Sequence, residues 1–250
     1  ITLLAMGWGT DHEILIDLSS YSPTDRVEVD FHPVQHVFRI ANQLKLKAIP
    51  VTGSLRLRGP EPDYLNAVAK IIETDQRGVA LRLIAEEFSS PTVLRKVVRD
   101  TLDRLNCLPG KCDLILDAEM LDRQPKLGQM DVLIEVVSNA VKSVESIGFR
   151  SIAICGSSIP EIVGKKYDEE PCVVDRVEFS AWKEMRKRKD TRSIIFGDYG
   201  IIYPLMQDNG QSGIPPVRVR LSTPDSHYLF RSPRELYRQL TFRVTKEDAF

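Results

Sequence analysis

Short, uninterrupted apolar runs alternate along this chain with longer stretches in which apolar residues recur every three or four positions. The runs fall at 14–17, 48–52, 79–84, 113–117, 151–155, 193–197 and 217–221, and each has the length and content of a buried strand. Between them the spacing predicts helices. One spans 34–46, with Val34, Val37, Phe38 and Ala41 on one face. Another starts at Asp63 and carries Leu65, Val68, Ala69 and Ile72. A third follows Ser90-Pro91, a cap-then-proline start, and runs through Leu94, Val97, Val98, Leu102 and Leu105. The fourth, 131–147, bears Leu133, Val136, Val137, Ala140 and Val144 and is closed by Gly148, and a last helix is expected from Ser232-Pro233 onward.

Regular alternation of this kind means parallel strands, because a parallel pair needs a crossover long enough to hold a helix. The expected fold class is α/β, a (β/α)8 TIM-barrel-like single domain over 1–250, with the strands parallel and in sequential order. Ile1 to Trp8 reads as a helix entered part-way, so the first barrel strand is expected to be missing from this chain, a piece of a longer protein. A doubly wound nucleotide-binding sheet would want a Gly-rich turn after its first strand, and no GxGxxG occurs.

Polar chemistry gathers where the strands end, which in a barrel is the rim that carries active sites. In Ser193-Ile-Ile-Phe-Gly-Asp-Tyr-Gly-Ile201 the apolar run stops at Gly197 and presents Asp198 and Tyr199 before Gly200. Asp117, Glu119 and Asp198 are the candidate catalytic carboxylates; Asp17, Arg82, Ser157, Arg176, Glu178 and Tyr199 are candidate ligand-binding residues. Convergent carboxylates can hold a divalent metal or divide the acid and base roles of phosphoester or glycoside hydrolysis. The competing reading is structural: such acids pair with Arg82 or cap the next helix. Arg82, inside a buried strand, is expected to contact one of these acids, since an isolated buried charge is costly. Asp198 is expected to face the barrel mouth, with Tyr199 turned to the helices and the flanking glycines serving the site. Gly156-Ser-Ser158 reads as a turn rather than an anion nest.

Composition narrows the function classes. Of 250 residues, 42% are hydrophobic and 28% charged, which describes a globular chain, and a net charge of −1 gives no general pull toward nucleic acid or an anionic membrane. The basic run from Lys183 to Arg192 is diluted by Glu184 and Asp190 and reads as a solvated helix end, with Phe179 and Trp182 docking that helix. Cys107, Cys112, Cys155 and Cys172 form no CxxC pair and no bilayer-spanning run occurs, so a reduced, cytoplasmic setting is expected. His32 and His36 stand four apart but lack the glutamate of HExxH, and are expected as exposed polar residues. Neither GxSxG nor a P-loop is present.

The segment 175–185, Asp-Arg-Val-Glu-Phe-Ser-Ala-Trp-Lys-Glu-Met, followed by Phe196-Gly-Asp-Tyr-Gly-Ile201 and Pro204, resembles the phage-associated "beta protein" family. Ile16-Asp-Leu-Ser19, Leu81-Arg82 and Leu114-Ile-Leu-Asp117 are similar to its earlier strands. The resemblance implies a barrel-like fold and a microbial or phage context, and it implies no mechanism. Two functions of different class are therefore expected: a hydrolase acting on a phosphate- or sugar-containing ligand through rim carboxylates, and a non-catalytic sensor or partner-binding barrel in phage–host conflict. The cofactor is open apart from a divalent metal, and the partner is a small ligand or a protein.

Overall fold

The structure is a computed structural model, and it describes residues 1–19, 21–22, 24–27, 31–54, 62–121, 126–159, 172–197, 217–232 and 239. Its frame is a curled six-stranded sheet of β1 (Glu13–Asp17), β2 (Lys47–Thr52), β3 (Val79–Ile84), β4 (Cys112–Met120), β5 (Ser151–Ser157) and β7 (Ile195–Gly197). These strands lie in sequential order, and every pair among them is parallel. The expected alternation, order and direction hold for this half-barrel.

Helix α1 (Thr2–Trp8) precedes β1, and helices supply the crossovers: α2 (Pro33–Gln43), α3 (Pro62–Asp75), α4 (Ala85–Phe88), α5 (Pro91–Leu105), α6 (Met130–Val144) and α7 (Val177–Arg186). Alternation along the strands sorts the side chains onto two faces. Val79, Leu81 and Leu83 of β3, with Leu114 and Leu116 of β4, face the helices and join Phe38, Val68, Leu94, Val98, Leu133 and Val137 in the main core. The opposite, concave face carries a small apolar belt of Val51, Ala80, Ile115 and Cys155. Register puts Arg82 beside Ile115, Asp117 beside Cys155, and Asp17 beside Val51, all on that same face. Polar residues beyond the belt thus come together by strand register alone.

The structure differs from expectation in two places. Val217–Ser222 is no further parallel strand. As β8 it pairs antiparallel with β9 (Ser226–Ser232), which in turn pairs antiparallel with β6 (Cys172–Asp175), forming a second, three-stranded sheet. The reason is visible in Val217-Arg-Val-Arg-Leu221, whose strict alternation suits a strand with one covered face. His32 is not exposed either. It is buried at the start of α2, where its Nδ1 accepts from the Val34 amide (3.1 Å) and its ring meets Tyr64 edge-on at 5.1 Å. The helix expected after Ser232-Pro233 lies outside the described residues, save for residue 239.

Candidate functional site

Arg82 leaves the concave face of β3 and reaches the aspartate that ends β1, two strands away, and Asp117 near the end of the adjacent β4. Its Nε donates to Asp117 Oδ2 at 2.6 Å, and one terminal nitrogen stands 2.6 Å from the same oxygen. The other terminal nitrogen donates to Asp17 Oδ2 at 2.7 Å. One guanidinium therefore ties the ends of three strands. Each carboxylate is also held from its own chain: Asp17 Oδ1 accepts from the Ser19 amide (2.8 Å), and Asp117 Oδ1 from the Glu119 amide (2.9 Å). The second contact follows from a break in β4, where register shifts between Asp117 and Met120 and Glu119 takes φ +56°, a left-handed conformation that side chains seldom adopt.

The three side chains differ in exposure. Asp117 is fully buried, while Arg82 keeps 18% and Asp17 29% of its side chain open to solvent. Burial disfavours the Arg82 cation, yet the two aspartates outweigh it and hold its pKa above the ordinary arginine value. Burial pushes the Asp117 carboxyl up, against the pull of Arg82 and the Glu119 amide. The cluster carries two carboxylates and one cation. Among the described residues no set of three His, Cys, Asp or Glu side chains is placed to hold a metal, and at this cluster Arg82 bridges Asp17 and Asp117.

Two further candidates, Arg176 and Glu178, form a second group nearby. Glu178, in the first turn of α7, is buried; its Oε2 accepts from Ser158 Oγ and its Oε1 lies 3.3 Å from His227 Nε2. Arg176 Nε stands 3.6 Å from Glu178 Oε1, and an Arg176 terminal nitrogen donates to the Thr223 carbonyl at 2.8 Å. Gly156 joins the two groups. A Cβ there would touch Ala118 at 3.4 Å, Glu178 at 3.6 Å and the Glu119 carbonyl at 3.7 Å. Ser157 is buried and accepts from the Ile159 amide (3.2 Å), while Ser158 accepts from Val177 N (3.1 Å). The Gly/Ser end of β5 is thus a turn stitched to α7.

Asp198 and Tyr199 lie outside the described residues. Gly197 is explained without them: a Cβ there would overlap Cys155 Sγ on the paired strand, so close strand contact alone requires glycine. Of the sequence candidates, Asp17, Arg82 and Asp117 meet directly, Glu119 joins them through its backbone, and Arg176 and Glu178 meet each other. Sequence reasoning missed His227, Ser222 and Ser158. The signal for the first two was the turn Thr223-Pro-Asp225 between alternating segments, which sets Ser222 opposite His227. The basic segment behaves as a solvated helix end, with Lys187 paired to Glu184 (2.6 Å) and Lys142 to Asp190 (2.9 Å). Trp182 docks α7 by donating to the Ile194 carbonyl at 2.9 Å.

No helix among the described residues is long and apolar enough to cross a membrane. No curated protein and no solved structure matches the chain. The profile of the Beta protein family matches residues 1–247, nearly the whole length and including every residue of both groups, so the chain belongs to the Beta protein family.

Proposed function

We propose that this protein binds a small, neutral, hydroxyl-rich ligand of sugar-like chemistry at the Asp17–Arg82–Asp117 cluster, at the C-terminal rim of the curled parallel sheet. The observation behind this reading is the bridge itself: Arg82 of β3 is shared by carboxylates of β1 and β4, leaving one negative charge in excess. Fixed acceptors with excess negative charge suit hydroxyl donors. A phosphate would instead meet a repelling carboxylate, so of the two ligand classes the sugar is favoured. The partial exposure of Asp17 and Arg82 lets a ligand reach them, while buried Asp117 fixes their orientation.

A second reading, hydrolysis of a glycosidic bond, rests on Asp117. A general acid has to hold its proton near neutrality, and burial moves the Asp117 carboxyl in that direction. Binding is preferred because both carboxylates are engaged by Arg82, and a general acid tied to a cation gives up part of that shift.

Thermal-shift measurements with a panel of neutral monosaccharides and their phosphate esters test the proposal. At least one neutral sugar should raise the Tm of the wild type, the esters should not, and Asp17→Asn should fold normally and lose the response. A response to the esters alone, or one undiminished in Asp17→Asn, would contradict it.

A further inference from the structure

The second sheet holds an arrangement that the rim reading does not use. β8 ends at Ser222, the chain turns through Thr223-Pro-Asp225, and β9 sets His227 directly opposite Ser222. Opposed residues of an antiparallel pair have Cβ atoms about 5 Å apart, close enough for Ser222 Oγ to lie 2.8 Å from His227 Nδ1. Across the ring, Nε2 is 3.3 Å from Glu178 Oε1. The imidazole and the carboxylate are buried, whereas Ser222 is exposed.

Proton order follows from these contacts. Burial raises the Glu178 pKa, but hydrogen bonds from His227 and Ser158 outweigh it and hold Glu178 below the ordinary glutamate value. An ionised carboxylate only accepts, so in the form of the imidazole that can serve as a base the ring proton sits on Nε2. Nδ1 is then an acceptor, and the hydroxyl of Ser222 must donate to it. Arg176, 3.6 Å from Glu178 and bonded to the Thr223 carbonyl, ties the carboxylate to the hairpin turn. A network that served only to join the hairpin to α7 would need His227 and Glu178. It would not need an exposed hydroxyl at its outer end.

We propose that Ser222, His227 and Glu178 form a nucleophilic serine site acting on small carboxylic esters. Ser222 Oγ attacks the carbonyl carbon as its proton passes to His227 Nδ1, and Glu178 stabilises the resulting imidazolium. The C–O bond to the alcohol breaks, the alcohol leaves with the proton returned by His227, and an acyl-serine remains. Water then adds to the acyl carbon, giving its proton to His227 and releasing the carboxylic acid, and Ser222 recovers its proton. The imidazole is used in the reverse sense to the familiar triad, with Nδ1 toward the serine.

The test is labelling of the full chain with a fluorophosphonate probe, read by peptide mass spectrometry. The Ser222 oxygen should bond to phosphorus with loss of fluoride, giving one phosphonyl group on the Ser222 peptide and none in Ser222→Ala, whose changed side chain is exposed and whose fold should be kept. Folded Glu178→Gln should label on the order of 100-fold more slowly. An unmodified Ser222 peptide in the wild type, an equal mass gain in Ser222→Ala, or an unchanged labelling rate in folded Glu178→Gln would overturn the proposal. If Glu178→Gln does not fold, turnover of p-nitrophenyl acetate decides: it should be lost in Ser222→Ala, and its persistence there or its absence in the wild type would overturn the proposal.

Discussion

The concave face of the parallel sheet carries an arginine–aspartate cluster at each end. At the N-terminal end Arg150 meets Asp113: its Nε donates to Oδ1 at 2.9 Å, one terminal nitrogen pairs with Oδ2, and the other donates to the Arg77 carbonyl at 2.8 Å. Ser151 adds a hydroxyl to Asp113 Oδ1 at 2.8 Å. One cation faces one carboxylate in fork-to-fork geometry, and the remaining donor finds a backbone oxygen. At the C-terminal end Arg82 is divided between two carboxylates, one of them partly open to solvent, and the β4 backbone bends out of register to support the other. The first cluster is a closed device that ties β4, β5 and the turn before β3. The second leaves charge unbalanced where the strands of parallel α/β folds expose their ligand sites. In barrels the N-terminal end tends to carry stability and the C-terminal end function, and here the difference can be read in hydrogen-bond stoichiometry.

If that contrast is right, substitutions at the two ends should separate stability from binding. The largest loss of stability is expected from Asp113→Ala, which strands Arg150 and removes three hydrogen bonds. It should cost about 3 kcal/mol in urea unfolding and leave any sugar response intact. Arg82→Met should cost less, about 2 kcal/mol at neutral pH, because it leaves buried Asp117 without its cation. Asp117 already has a folded-state pKa above its ordinary value of 3.8, and removing Arg82 raises it further. A carboxyl raised in the folded state contributes stability that is present below its unfolded pKa and is lost as pH rises through the folded one. Urea midpoints for Arg82→Met should therefore approach those of the wild type on acidification toward pH 3.8 and fall away toward neutrality. A pH-independent deficit would place the loss in packing instead. Asp17→Asn should move stability least, by about 0–1 kcal/mol for a partly exposed pair, while abolishing the sugar response. Equal stability losses in Asp17→Asn and Asp113→Ala would erase the distinction.

Much of this frame was legible in the sequence. Continuous apolar runs such as Val79-Ala-Leu-Arg-Leu-Ile84 could only be strands covered on both faces, and the lone charge inside that run had to be paired. Arg82 accordingly meets two of the acids named for it. The same habit misread Val217-Arg-Val-Arg-Leu221, whose alternation was the mark of a different sheet. The contact between Glu178 and His227 spans 49 positions and depends on the register of a hairpin, so no local pattern in α7 or β9 announces it. Gly197 has a structural reason that no local pattern shows, because the sulfur of Cys155 lies on a neighbouring strand.

The most direct measurement compares the Nε–H resonances of Arg82 and Arg150 in one NMR experiment while neutral monosaccharides are added. Arg82, whose Nε bonds to Asp117, should shift in a saturable manner, Arg150 should stay in place, and Asp17→Asn should remove the response. Shifts of equal size at both arginines, or none at Arg82 across the panel, would contradict the assignment of the C-terminal end as the binding end.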